Sequence, residues 1–116
     1  MSAPGALGAA LVDWTSGLAV GTAGLGPSGD HDTAAFEVAE LARVVMLRRS
    51  FTDPVGTDTA TQDVIVTTPG CYHLIAFLPA PLDASLLLHL RLDRRTANLA
   101  LARHQLAALT GKLGAA

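Results

Sequence analysis

Residues 71–78 read Cys-Tyr-His-Leu-Ile-Ala-Phe-Leu, an uncharged run that is apolar at both parities. Turn chemistry closes it on both sides, "TPG" at 68–70 and "PAPLD" at 79–83. Alternate side chains of a strand point to opposite faces, so a strand apolar at both parities must be covered on both. This run therefore has to be a central strand, and the rest of the chain must supply a layer for each side of it.

Two helical patterns are available for that. Residues 33–49 place Ala34, Ala35, Val38, Ala39, Leu41, Ala42, Val45 and Met46 in one broad stripe at 100° per residue, with Ser28, Asp30 and Asp32 as candidate caps. Residues 96–109 repeat Leu99, Ala102, Leu106, Leu109 and, beyond them, Leu113 at three- and four-residue steps. Thr96 is the expected N-cap and Gly111 the expected stop.

The remaining apolar runs read as strands. Residues 6–12 and 18–22 flank "DWTSG" at 13–17 and form a hairpin. Residues 64–68 precede the central run, and residues 85–92 follow it. The order is ββαβββα. Short turns within each strand group make neighbours antiparallel, so the fold class is an α/β sandwich with helices on both faces of the sheet, and not a doubly wound parallel sheet.

A chain of 116 residues, half of them apolar and only 16% charged, has enough to build one core and argues against disorder. One domain over 1–116 is expected, with 1–5 and 111–116 as flexible ends. The net charge of −2 leaves no basic excess for a phosphate backbone, which argues against a nucleic-acid partner. One cysteine, Cys71, permits no internal disulfide and fits a reducing cytoplasm. The N-terminal residues lack the basic start of a signal peptide, and the longest apolar run, 74–82, is broken by Pro79 and Pro81. No membrane insertion is expected.

Chemical motifs are weak. "GLGPSG" at 24–29 matches G-x-G-x-x-G, but its strand belongs to a hairpin and not to a parallel βαβ unit. Val44 and Val45 stand where a ribose-binding acid belongs, Pro27 removes an amide, and Asp30 and Asp32 repel phosphate. The glycines read as a strand-to-helix turn. Cys71 and His73 share a strand face and His89 sits on a neighbouring strand, but a two-residue fragment with one unregistered histidine does not make a metal centre. No nucleophile elbow or carboxylate pair is present, and His104 falls off the leucine stripe of its helix. No catalytic residues, no cofactor and no enzymatic activity are expected.

The first helix carries a second stripe: Phe36, Glu40, Arg43, Val44 and Leu47, away from its main apolar face. A two-fold axis near residues 41–42 would run the helix antiparallel to its copy. Glu40 would then meet Arg43 of the partner, and Phe36 would approach the partner's Leu47, as an isologous contact requires. A homodimer through this helix is expected.

"ALVDWTSGLAVGTAG", "TAAFEVAELARVVM", "DVIVTTPGCYHLIAFL" and "RRTANLALARHQLAAL" together resemble a Roadblock (dynein light chain) domain over residues 5–110. The resemblance is to the bacterial branch, above all the small actinobacterial proteins encoded beside a histidine-kinase-like protein and a Ras-like GTPase. It implies a five-stranded sheet in the order 2-1-5-4-3. It implies a dimer in which central helices pair and third strands join, here through Val64 and Val66. It also implies function by binding, as an adaptor or regulator of a small GTPase. Family members usually begin with a helix, and only residues 1–5 precede the first strand here. The face beside the last helix would then be partly open, with Ala97, Leu101 and Ala108 as a candidate partner surface.

Two functions follow. The first is a homodimeric adaptor for a Ras-like small GTPase, with a histidine-kinase-like protein as a further partner. The second is a small-molecule sensor of similar sandwich fold, with Cys71, His73 and His89 lining a pocket between helix and sheet. A bare dimerisation unit is a third.

Overall fold

The computed structural model describes residues 5–24, 30–51, 61–78 and 85–115. Five strands, β1 (Ala6–Asp13), β2 (Leu18–Gly24), β3 (Asp63–Thr67), β4 (Cys71–Phe77) and β5 (Leu86–Asp93), form one sheet in the order β2-β1-β5-β4-β3. Every pairing is antiparallel. Helix α1 (His31–Leu47) links β2 to β3 through a short 3₁₀ turn at Arg49–Phe51, and α2 (Leu99–Ala115) follows β5. The expected glycine-rich loop at 25–29, with its candidate cap Ser28, the polar loop at 52–60 and the turn at 79–84 lie outside the described residues, as do 1–4 and 116.

The parity of β4 divides the core as its sequence demands. Ile75 and Phe77 join Ala10, Val12, Leu87 and the α1 residues Ala35, Ala39 and Ala42 on one face. Leu74 and Ala76 join Leu90, Leu92 and the α2 residues Ala102 and Leu106 on the other. Alanines dominate the inward arc of α1, so the helix can approach the sheet closely without large side chains between.

Asp30 caps α1, accepting from the backbone N–H groups of Asp32 at 3.0 Å and Thr33 at 3.1 Å. At α2 the cap is Asn98, not Thr96: Asn98 Oδ1 accepts from the Leu101 N–H at 3.0 Å. Thr96 and Ala97 belong to the preceding turn, where both amides donate to the Asp93 carbonyl. The helix also runs through Gly111 to Ala115, so that glycine does not stop it. Two expected core residues are exposed. Leu41 sits at the margin of the buried arc of α1, and Leu109, one turn past the buried Leu106, is exposed on α2.

Gly5 is tightly placed at the start of β1. The Asp93 N–H donates to its carbonyl at 2.7 Å. Its φ of +79° lies in the left-handed region, and a Cβ there would come within 3.0 Å of Thr96 and Ala97.

Candidate interaction surface

The second stripe of α1 is solvent-facing. Phe36 is 54%, Val44 48% and Leu47 67% exposed, and Glu40 is exposed beside them. Glu40, Arg43, Val44, Leu47 and Arg48 line an open groove of about 340 Å³. Arg43 is half-buried: its Nη1 donates to the Trp14 carbonyl at 2.8 Å, tying α1 to the β1–β2 turn. Phe36 rests on the same turn, since a Cβ at Gly17 would lie 3.3 Å from its Cδ2. Among the described residues the ion pairs are Arg95–Asp93 and Arg103–Asp63, and Glu40 takes part in neither.

Among the described residues, strand β3 is hydrogen-bonded on one side only, to β4. Val64 is half-buried against the α1-side core, whereas Val66 is 37% exposed. Both lie on the sheet face that α1 covers, because Val64 is opposite Ile75 and Val66 opposite His73.

The other expected patch divides. Leu101 and Ala108 are exposed on α2, but Ala97 precedes that helix and packs inward on the α2-side core. Exposed residues that the sequence reading passed over stand elsewhere: Phe51 in the 3₁₀ turn, and Leu18 and Val20 on β2 at 66% and 62% exposure. The signal was available, since β2 is apolar at both parities. It resembles a central strand but sits on an edge, with a register shift between Leu11 and Val12 of its partner β1.

His73 and His89 meet directly. His73 Nδ1 and His89 Nε2 are 2.9 Å apart, and the rings stack with centroids 5.2 Å apart. His89 is buried at 5% exposure, and burial, then the neighbouring His73, Arg91 and His31, push its pKa down to about 4. Burial and Arg91 lower His73 in the same direction. The crevice beside His89, lined by Gly8, Ala10, His31, Ala34 and Arg91 among others, measures about 10 Å³. That is room for roughly one water molecule. Cys71 is a free thiol two residues from His73, and no cluster of three metal-ligating groups occurs among the described residues. No described helix is long and apolar enough to cross a membrane.

No protein-family model matches the chain, and no curated protein matches it by sequence. Solved structures do. MglB of Myxococcus xanthus superposes with a TM-score of 0.75 at 17% identity, over 94% of this chain and 74% of that one. A Roadblock/LC7 domain from Streptomyces avermitilis gives 0.65 at 20% identity, over 97% and 85%. A further MglB, in a tetrameric arrangement, gives 0.67 at 20% identity, over 95% and 78%. The chain has a Roadblock-like fold, with the sheet order that the sequence resemblance implied.

Proposed function

We propose that this chain is a non-enzymatic homodimeric adaptor or regulator that binds a Ras-like small GTPase in a bacterial signalling complex, with a histidine-kinase-like protein as a further partner. The observation that carries the reading is the outer side of α1, where Phe36, Val44 and Leu47 are exposed around Glu40 and Arg43. Large apolar side chains grouped on one helix side favour a protein partner.

The charge order along α1 favours a second copy as the occupant. Acids, Asp32, Glu37 and Glu40, fill its first part, and Arg43 and Arg48 stand at its end. An antiparallel copy brings each acidic half against a basic half, with Glu40 facing the copy's Arg43. The open edge of β3 at Val64 and Val66 joins its counterpart in the same pair. The Roadblock-like fold and a neighbour in a tetrameric arrangement support assembly between copies. The GTPase is carried by the sequence resemblance, and Leu101 and Ala108 are a candidate surface for such a partner.

Light scattering over a dilution series tests the pair. The wild type should hold twice the chain mass, and Phe36→Glu should fall to the chain mass with its far-UV spectrum unchanged. A wild-type monomer sinks the interface. Pull-down with the Ras-like GTPase, loaded with GDP and separately with GTP, tests the partner. Retention in neither state removes the adaptor reading.

A further inference from the structure

His73 occupies a position that the pairing surface would enclose. It lies one strand in from the β3 edge, directly opposite Val66, on the sheet face that α1 covers. Its side chain is only half-buried in the single chain. Its inner neighbour is His89, hydrogen-bonded to it at 2.9 Å and itself buried.

Among the described residues, the groups that face this pair are cationic or neutral. Arg91 of β5 stands opposite His73 in register, and His31 of α1 borders the same crevice as His89. Cys71 shares the face on β4, while β1 presents Gly8 and Ala10 and β3 presents Val66. Asp93, opposite Cys71, is engaged by the Arg95 N–H and guanidinium. A proton added to His73 therefore makes a cation next to other cations. While water reaches the ring, that charge is tolerated. A surface that removes the water raises its cost.

We propose that self-association of this chain is proton-linked through His73, with the paired form favoured near neutrality and weakened in mild acid. The inference rests on the pairing surface proposed above and adds its regulation. Linkage requires the effect to be reciprocal: if pairing disfavours the imidazolium, then protonation disfavours pairing. The His73–His89 bond sets how many protons the pair can take. A first added proton sits on His73 Nε2 and keeps the single proton between Nδ1 and Nε2. A second, on His89, puts protons on both bonded atoms and breaks the bond. An acidified pair must accept a buried cation or open.

The test is sedimentation equilibrium at pH 7.5, 6.5 and 5.5 at constant ionic strength. The wild-type dissociation constant should rise as pH falls below about 6.5, the ordinary histidine value, with the onset held to lower pH by burial and Arg91. It should approach about a hundredfold per pH unit where each protomer takes up one proton at His73. His73→Gln and His73→Asn keep a polar group for His89 without a titrating ring, and both should flatten the dependence. Two variants guard against either one folding poorly, which thermal unfolding at pH 7.5 will show. His104→Gln, at an exposed site on α2, should retain the wild-type slope. A dimer whose dissociation constant ignores pH, or a His73→Gln slope equal to wild type, overturns the proton link alone. A wild-type monomer at every pH removes the pair itself and the link with it.

Discussion

Arg43 reaches back across 29 positions of sequence to hold the carbonyl of Trp14, from its Nη1 at 2.8 Å. The bond joins α1 to the β1–β2 turn, where Asp13 Oδ1 accepts from the Thr15 N–H at 3.0 Å and Gly17 N–H donates to the Asp13 carbonyl at 2.9 Å. A charged donor to a neutral carbonyl in a half-buried setting contributes about 1–2 kcal/mol, and the aliphatic stem adds packing. Arg43→Met retains most of the stem and removes the donor. Urea unfolding should register a loss of roughly 1 kcal/mol at unchanged m-value. A variant as stable as the wild type would show that the carbonyl finds water equally well.

Periodicity identifies which side of α1 bears Arg43, but not which loop lies under that side. The same limit applies to His73 and His89. Their shared face was legible from strand parity, whereas their hydrogen bond depends on the β4–β5 register, which pairs His73 with Arg91 and Ile75 with His89. Elements themselves were legible because their signals are local. The apolar parity of 71–78 and the cap at Asp30 are set by the strand and helix in which they occur. Thr96 misled because Asn98, two residues on, offers the same capping chemistry at the position where the chain becomes helical. Ala97 misled for the same reason, since a helix drawn from 96 places it on a wheel that it never joins.

Two glycines should respond in opposite ways to alanine. Gly5 has φ +79°, and a Cβ would lie 2.8 Å from Thr96 Oγ1 and 2.9 Å from the Ala97 nitrogen. Strain and overlap together should cost about 1–3 kcal/mol. Gly21 on β2 has nothing within 4 Å of its Cβ position. Gly21→Ala removes unfolded-state freedom without a clash and should stabilise by roughly 0.5 kcal/mol. Thermal unfolding of the two variants separates them by sign, and Gly21→Ala destabilising by a similar amount would show that this face of β2 is already covered in solution.

Stability and assembly should also separate. Leu74 is fully buried on the α2 side of β4, so Leu74→Ala should cost about 2–5 kcal/mol. Leu47 is 67% exposed at the end of the outer stripe, so Leu47→Glu should leave the single chain within about 0.5 kcal/mol of wild type. Its effect belongs to the proposed pair, where it would face Phe36 of the copy. Mass by light scattering at matched concentration reads that effect. A Leu47→Glu protein that keeps both its stability and a dimeric mass would move the interface away from the α1 stripe.

Acid stability reports on His89 when it is read at protein concentrations low enough to keep the chain single. Its pKa falls from the ordinary 6.5 to about 4, first because burial disfavours the charged ring and then because His73, Arg91 and His31 add positive potential. The folded state thus binds fewer protons than the unfolded chain between those values. Stability from this group is intact above pH 6.5 and declines as pH falls toward 4, by roughly 3 kcal/mol at full extent. His73 shifts in the same direction and adds to the slope. His89→Leu replaces the ring with an apolar side chain at a site between Ile75 and Ala10, and leaves His73 able to bond water from its half-exposed position. Urea midpoints at pH 7, 5.5 and 4.5 should fall steeply for the wild type and less steeply for His89→Leu, since the carboxylates titrate in both. Parallel declines would mean that His89 takes up its proton inside the folded chain near its ordinary pKa, with the His73 bond giving way at little cost.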